Sequence, residues 1–392
     1  MRRGRRHSAV LLTLACAALG LAPLPATAQD SVTWTLHPHP AGAGALSTTM
    51  DAHRMGVRTF PAERLDRPVD TVSARYEHAP GTTVDVRGQR ADGGWTEWLP
   101  VPGGGRATLP EATTAVQARL VRAATGTADD VRRIELTAWR AAAGPQADSP
   151  GGSPASAQSA QRVPTFRIFA TREGLVGHTT ANGHKITRRD HFVALPSRRG
   201  LSGRGSGEYT VRVCTTDNAR CEWAPVWDVG PWNVRDDHWN PGREHWPDLP
   251  HGRPQAEAAY QDGHNGGRDG FGREVRNPAG IDLADGTFWD GLRLKTNAWV
   301  NVTYEWARRG PWGTVVTPRG VHLNVRRGTS AGTQQVGFAA RHARVRIVCS
   351  LRGAVANGTQ GSTDVWYRLA PGKHVSAAYV DRPEGAPAPR PC

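Results

Sequence analysis

Alternation of apolar and polar residues with a period of two dominates this chain, and it predicts strands. Between residues 31 and 140 the alternation runs through Thr71-Val72-Ser73-Ala74-Arg75-Tyr76, Thr83-Val84-Asp85-Val86-Arg87 and Ile134-Glu135-Leu136-Thr137-Ala138-Trp139. Turn residues such as Ala91-Asp92-Gly93-Gly94 separate these runs, so the region reads as an antiparallel β-sandwich. Trp95 and Trp98 could face a sugar ring, but tryptophans in this setting are more often core or rim, which is the expectation here. Residues 141–162 are dominated by Ala, Gly, Ser, Pro and Gln without apolar period, the composition of a flexible exposed linker. The strand pattern resumes over 163–308, in Phe166-Arg167-Ile168-Phe169-Ala170, Val193-Ala194-Leu195, Tyr209 to Cys214 and Trp299 to Tyr304. A boundary at Arg308-Arg309-Gly310-Pro311 precedes a third region, 318–392, whose five short strands and polar turns predict a small barrel.

The N-terminus carries different chemistry. Arg2, Arg3, Arg5 and Arg6 precede an apolar stretch from Ala9 to Leu24, and Ala26-Thr27-Ala28 follows. This is the layout of a secretory signal peptide, residues 1–28, cut before Gln29. Pro23 and Pro25 interrupt the run, which is short for a membrane span, and no later segment is apolar enough to cross a bilayer. Export changes how cysteines are read. Beyond the leader the chain holds Cys214, Cys221, Cys349 and Cys392, an even count that predicts two disulfides. Three pairings are open on count alone. Cys214 and Cys221 flank a predicted hairpin and are taken as one pair, leaving Cys349 with Cys392 to tie down the C-terminus.

Charge narrows the partners. The formal net charge of +14 becomes +10 once the four leader arginines are removed. Such a balance suits a polyanion of the wall, or follows from an arginine-rich composition in general. The charges are scattered, with no basic cluster interleaved with aromatics on a sheet, so nucleic acid is not expected. No metal or cofactor is expected. The thiols lack ligand spacing, His238, His245, His251 and His264 follow no zinc spacing, and the acids of 233–277 miss the EF-hand pattern.

Two carboxylates stand out from their surroundings. Asp228 follows an apolar run and precedes a Gly230-Pro231 turn, and Asp282 lies between Ile281 and Leu283. An acid so placed is costly unless paired or functional. If the two meet, mutual repulsion raises one pKa, as a general acid requires. On spacing alone the favoured reading is a helix cap at Asp282 and a turn acceptor at Asp228.

The order of several short motifs adds a resemblance. Asp228-Val229-Gly230-Pro231-Trp232 is similar to the Asp-Arg-Gly-Pro-Phe strand end of the double-psi β-barrels of rare lipoprotein A, expansins and family 45 endoglucanases. Ile281-Asp282-Leu283 with Phe288 and Leu292 resembles their Ile-Asp-Leu-Ser helix entry. Ala170-Thr171 and Thr180-Ala181-Asn182-Gly183 resemble the opening strand and the Thr-Ala-Ser-Gly loop. The resemblance covers roughly 166–306 and implies Asp282 as catalytic acid, Asp228 as its supporting acid, and Thr171, His184 and Trp232 as substrate-binding residues. His184 stands where lytic transglycosylases of this type carry a Glu, and no second carboxylate is evident as a hydrolytic base. A lytic transglycosylase needs no water, because the sugar's own hydroxyl attacks, so one acid/base suffices. Leu323-Asn324-Val325-Arg326, Trp366-Tyr367 and Val375-Ser376-Ala377-Ala378-Tyr379-Val380 resemble the bacterial SH3-like (SH3b) domain, which implies wall docking.

The implied architecture is mainly β: an N-terminal β-sandwich over 31–140, a central double-psi β-barrel over 163–308 and an SH3-like barrel over 318–392. An insertion at 233–277 is expected as an ordered flap whose Trp and His residues could line a groove. The function implied is that of a secreted, cell-wall-associated protein whose barrel binds peptidoglycan or a related glycan, with cleavage or loosening of it as the activity open to the barrel. A non-catalytic wall protein and a barrel acting on an exogenous polysaccharide are the alternatives.

Overall fold

The computed structural model describes residues 31–38, 55–77, 81–123, 131–141 and 163–392. The expected leader and nearly all of the linker lie outside these residues. The chain is mainly β. No helix among the described residues is long and apolar enough to cross a membrane.

Seven strands form the N-terminal sheet: β1 (Val32–Leu36), β2 (Met55–Thr59), β3 (Glu63–Tyr76), β4 (Thr82–Gly88), β5 (Leu99–Val101), β6 (Arg106–Ala123) and β7 (Ile134–Trp139). Their order is β1-β7-β3-β6-β4-β5, with β2 also on β6, and every pairing is antiparallel. β3 and β6 carry register shifts, which bend a ladder, and the inward residues Val69, Val72, Val84, Val86, Leu120 and Leu136 close one core.

Six strands close the central barrel: β8 (Thr165–Arg172), β9 (Val193–Leu195), β10 (Thr210–Thr215), β11 (Cys221–Val229), β12 (Ala279–Leu283) and β13 (Ala298–Tyr304). The order is β10-β13-β8-β12-β9-β11, and β11 returns to β10. The barrel is mixed, since β12 runs parallel to β8 and β11 parallel to β9. In β8 the alternation sends Ile168 and Ala170 inward, where they meet Val211, Val226, Ile281 and Val300. The hairpin β10–β11 is clipped by Cys214–Cys221.

The insertion is folded back as part of the body. Its helix α1 (Gln255–Asp262) starts at Pro254, which offers no side-chain cap, and the Asp236 carboxylate accepts the Gln255 N–H instead, at 2.6 Å. Trp239 is buried in the barrel core, stacked 4.9 Å from Tyr304, and His238 Nε2 lies 2.8 Å from the Tyr304 hydroxyl. The expectation that the Trp and His residues here line a groove is thus corrected for these two, because their rings fill the barrel end.

The third unit holds β14 (Trp312–Val315), β15 (Leu323–Arg326), β16 (Gln335–Ala339), β17 (Arg344–Arg346), β18 (Cys349–Gly358), β19 (Gly361–Ala370), β20 (Lys373–Ser376) and β21 (Val380–Asp381). Cys349–Cys392 fastens the terminus to β18. The expected boundary near 308–311 does not separate this unit from the barrel. β16 pairs in parallel with β11, so one ladder runs through both. Gly337 permits the seam: its φ is 146°, and a methyl group there would come within 1.7 Å of the Cys221 carbonyl oxygen. Trp223 of β11 is buried in the third unit's core.

The N-terminal sheet is likewise docked. Trp98 sits in the barrel core cluster, its indole donating to the Leu201 carbonyl at 3.2 Å. Buried Asp85 accepts from Arg119 at 2.8 Å and from Arg198 at 3.2 Å. Burial pushes the Asp85 carboxyl up, but the guanidinium groups of Arg198 and Arg119 outweigh it and hold its pKa below the ordinary value. Glu97 accepts from the indoles of Trp239 and Trp306 and from Asn240, each at 2.7 Å. Asp92 reaches the third unit through Arg346 at 3.1 Å.

Candidate functional site

Strand register brings the two singled-out aspartates to one level of the barrel. Asp228 near the end of β11 and Asp282 in β12 both pair with Ala194, one on each side of β9. Their Cα atoms are therefore about two strand spacings, roughly 10 Å, apart, and both residues line one groove. Asp282 also pairs with Thr171 of β8, whose hydroxyl donates to its carboxylate. Asp228 accepts the N–H groups of Ala181 and Val229, both at 2.8 Å. It is neither a lone turn acceptor nor remote from Asp282: a methyl group on Gly230 would lie 3.9 Å from Asp282 Oδ2. Gly230 has φ 153°, a conformation few side chains adopt, so the chain can curl beside that carboxylate. Asp282 is a strand residue, and the helical turn after it begins at a Gly286 cap, so the capping alternative for Asp282 falls away.

A third carboxyl completes the group. Glu173 follows β8, and its N–H donates to the Leu283 carbonyl at 2.9 Å, which fixes it beside β12. Both of its carboxyl oxygens are buried, and no donor among the described residues reaches them. Burial first, and the nearby Asp228 and Asp282 charges next, push its pKa well above the ordinary glutamate value. Burial also raises Asp228, to about 6, against the pull of the Ala181 N–H and of Glu173. Of the two, Glu173 is the carboxyl that burial and its acidic neighbours drive toward the protonated form, while Asp228 keeps its two N–H donors.

These groups line a groove of about 380 Å³ together with Arg172, Leu175, Trp232, Arg273 and Asn277. The Trp232 indole donates to Asn277 at 3.1 Å, and Arg273 donates to the Trp232 carbonyl at 2.9 Å, so the insertion holds this ring from behind. Leu175 and Phe271 are 43% and 47% exposed, adding apolar surface close by. Thr171, Trp232, Asp228 and Asp282 are thus brought together, and His184 is not. His184 lies in a separate groove, 2.7 Å from Asp190 and with its ring 4.7 Å from that of Trp227.

The arrangement can hold and move a proton beside an open, partly exposed carboxylate, and ionised Asp228 and Asp282 can balance developing positive charge. Glu173 is the residue that sequence reasoning passed over. The signal was present: Glu173-Gly174 repeats the pattern of a strand, an acid and a glycine turn that singled out Asp228. Among the described residues no group of three or more His, Cys, Asp or Glu side chains is arranged to hold a metal ion.

A family model described as a domain of unknown function (DUF8814) matches residues 164–303, nearly all of the barrel with its insertion. No family of the rare lipoprotein A, expansin or SH3b type is identified in the chain. No curated protein and no solved structure matches it.

Proposed function

We propose that this is an exported, wall-associated protein whose barrel, of the double-psi type, binds and cleaves peptidoglycan or a related glycan, with an SH3-like third unit docking it. The observation that carries the reading is Asp282, open to the groove, bonded to the Thr171 hydroxyl and backed by the proton-holding pair of Glu173 and Asp228. Asp282 in its acid form gives its proton to the glycosidic oxygen as that oxygen's bond to the anomeric carbon breaks. Thr171 orients that carboxyl, and the pair behind it sets the local charge. A hydroxyl of the sugar itself attacks the anomeric carbon and passes its proton to the Asp282 carboxylate, which restores the acid, so no separate water-activating base is needed. Trp232 and the apolar rim offer a face for a pyranose ring. Two disulfides and the signal-peptide layout support export.

The test is release of soluble fragments from purified peptidoglycan by the mature protein. Asp282→Asn should lower release at least about a hundredfold, the usual weight of a general acid/base. Asp228→Asn and Glu173→Gln should lower it less, since both act through Asp282. Release by Asp282→Asn at the parental rate would refute the assignment. A parent that releases nothing but binds sacculi, with binding weakened in Asp282→Asn, would replace cleavage by loosening.

A further inference from the structure

The seam between the barrel and the third unit encloses a second groove of about 660 Å³, on the far side of β11 from the carboxylates. Trp227 lines this one and its neighbour Asp228 the other, as alternation along a strand requires. We propose that this seam groove binds a phosphate-bearing ligand, a phosphorylated sugar or polyol.

Its charge is the first argument. The carboxylates at this groove already have partners: Asp190 meets His184 at 2.7 Å, Asp290 meets Arg189 at 3.1 Å, and Glu222, behind the lining, meets His191 at 2.8 Å. That leaves Arg188, Arg319 and Arg341, none of which forms an ion pair among the described residues. Arg341 Nε is buried and has no hydrogen-bond partner. Three guanidinium groups around one space repel each other unless an anion joins them.

The shape of the anion is the second argument. The three arginines come from three separate segments, the loop before β9, the turn before β15 and the turn after β16. A planar carboxylate is satisfied by a single guanidinium fork, whereas a tetrahedral phosphate presents oxygens in several directions. His322 adds a donor. Its Nδ1 accepts the Arg341 N–H at 3.2 Å, so the neutral ring carries its proton on Nε2. Trp227, Phe338 and the exposed Val321 supply apolar surface for the sugar or polyol. The two grooves differ in charge, so they take different ligands: a phosphate polymer is repelled by the Asp228 and Asp282 carboxylates of the first and drawn to the three arginines of the second. This inference does not depend on cleavage at the carboxylate groove.

The test is calorimetric titration of the mature full-length protein with a glycerol-phosphate oligomer, with polyglutamate of equal charge as comparison. The oligomer should bind, more weakly as salt rises, and polyglutamate at least about tenfold more weakly. Arg188→Gln and Arg319→Gln, both on exposed side chains, should each weaken oligomer binding about tenfold, and Arg341→Gln should do the same. Near-ultraviolet circular dichroism identifies any variant that does not fold, and the exposed pair then decides. Failure of the oligomer to bind, equal binding by the folded variants, or equal affinity for polyglutamate would overturn the proposal.

Discussion

Replacing Glu173 by Gln should stabilise the protein at neutral pH. Glu173 holds a proton that an ordinary glutamate would lose near pH 4.5, because its oxygens are buried against Asp228 and Asp282. A raised folded-state pKa contributes stability that is complete below the unfolded value and is lost as pH climbs toward the folded one. Each pH unit of that climb costs about 1.4 kcal/mol, so the parent loses stability steadily as pH rises above 4.5 until the folded-state pKa is passed. Glutamine has nearly the same shape, and its amide N–H donates to Asp228 without drawing a proton from solution. The variant should therefore match the parent near pH 4.5 and exceed it by a margin that widens with pH, at most about 1.4 kcal/mol per unit, while releasing less glycan. Urea unfolding followed by tryptophan fluorescence across this range reads the difference directly. A gap between variant and parent that does not change with pH, or a variant that weakens as pH rises, would refute a protonated Glu173.

Other outcomes follow from the docked architecture. Glu97→Ala leaves the Trp239 and Trp306 indoles without their acceptor and Arg199, 3.2 Å from the carboxylate, with Asp237 as its remaining acid, and should cost roughly 3–5 kcal/mol in urea unfolding; a loss under about 1 kcal/mol would contradict the interface. A protease should cut first within 142–162, and the nicked halves should still co-elute on gel filtration, because Trp98 and the Asp85 cluster hold them; separation without denaturant would contradict this. Replacing Cys349 and Cys392 by Ser should destabilise the third unit by roughly 2–5 kcal/mol, read from earlier amide exchange in β18 and β19.

Local signals carried much of this fold. Period-two runs in β3, β4, β7 and β8 mark strands because each has one face on a core. Both disulfides were legible from count, spacing and the hairpin between Cys214 and Cys221. The seam at β11 and β16 was not, since it joins residues more than a hundred positions apart and rests on the close approach that Gly337 allows. Trp98 and Trp239 read locally as sandwich or flap residues, and only packing reveals both in the barrel core. In the groove, Asp228, Asp282, Thr171 and Trp232 were legible from strand ends and motif order. His184 was placed there by analogy with a loop position, and its bond to Asp190 turns it to the other face. Glu173 went unread because its burial against Asp228 arises only when β8, β11 and β12 meet.

The central claim is that the carboxylate groove breaks a glycan by proton exchange at Asp282, without water as nucleophile. Mass spectrometry of the soluble products from purified peptidoglycan treated with the mature protein tests it most directly. The expected products are muropeptides with anhydro-sugar ends, present with the parent and missing with Asp282→Asn. Products bearing only hydrolysed reducing ends, or none from the folded parent at any pH between 4.5 and 8, would contradict it.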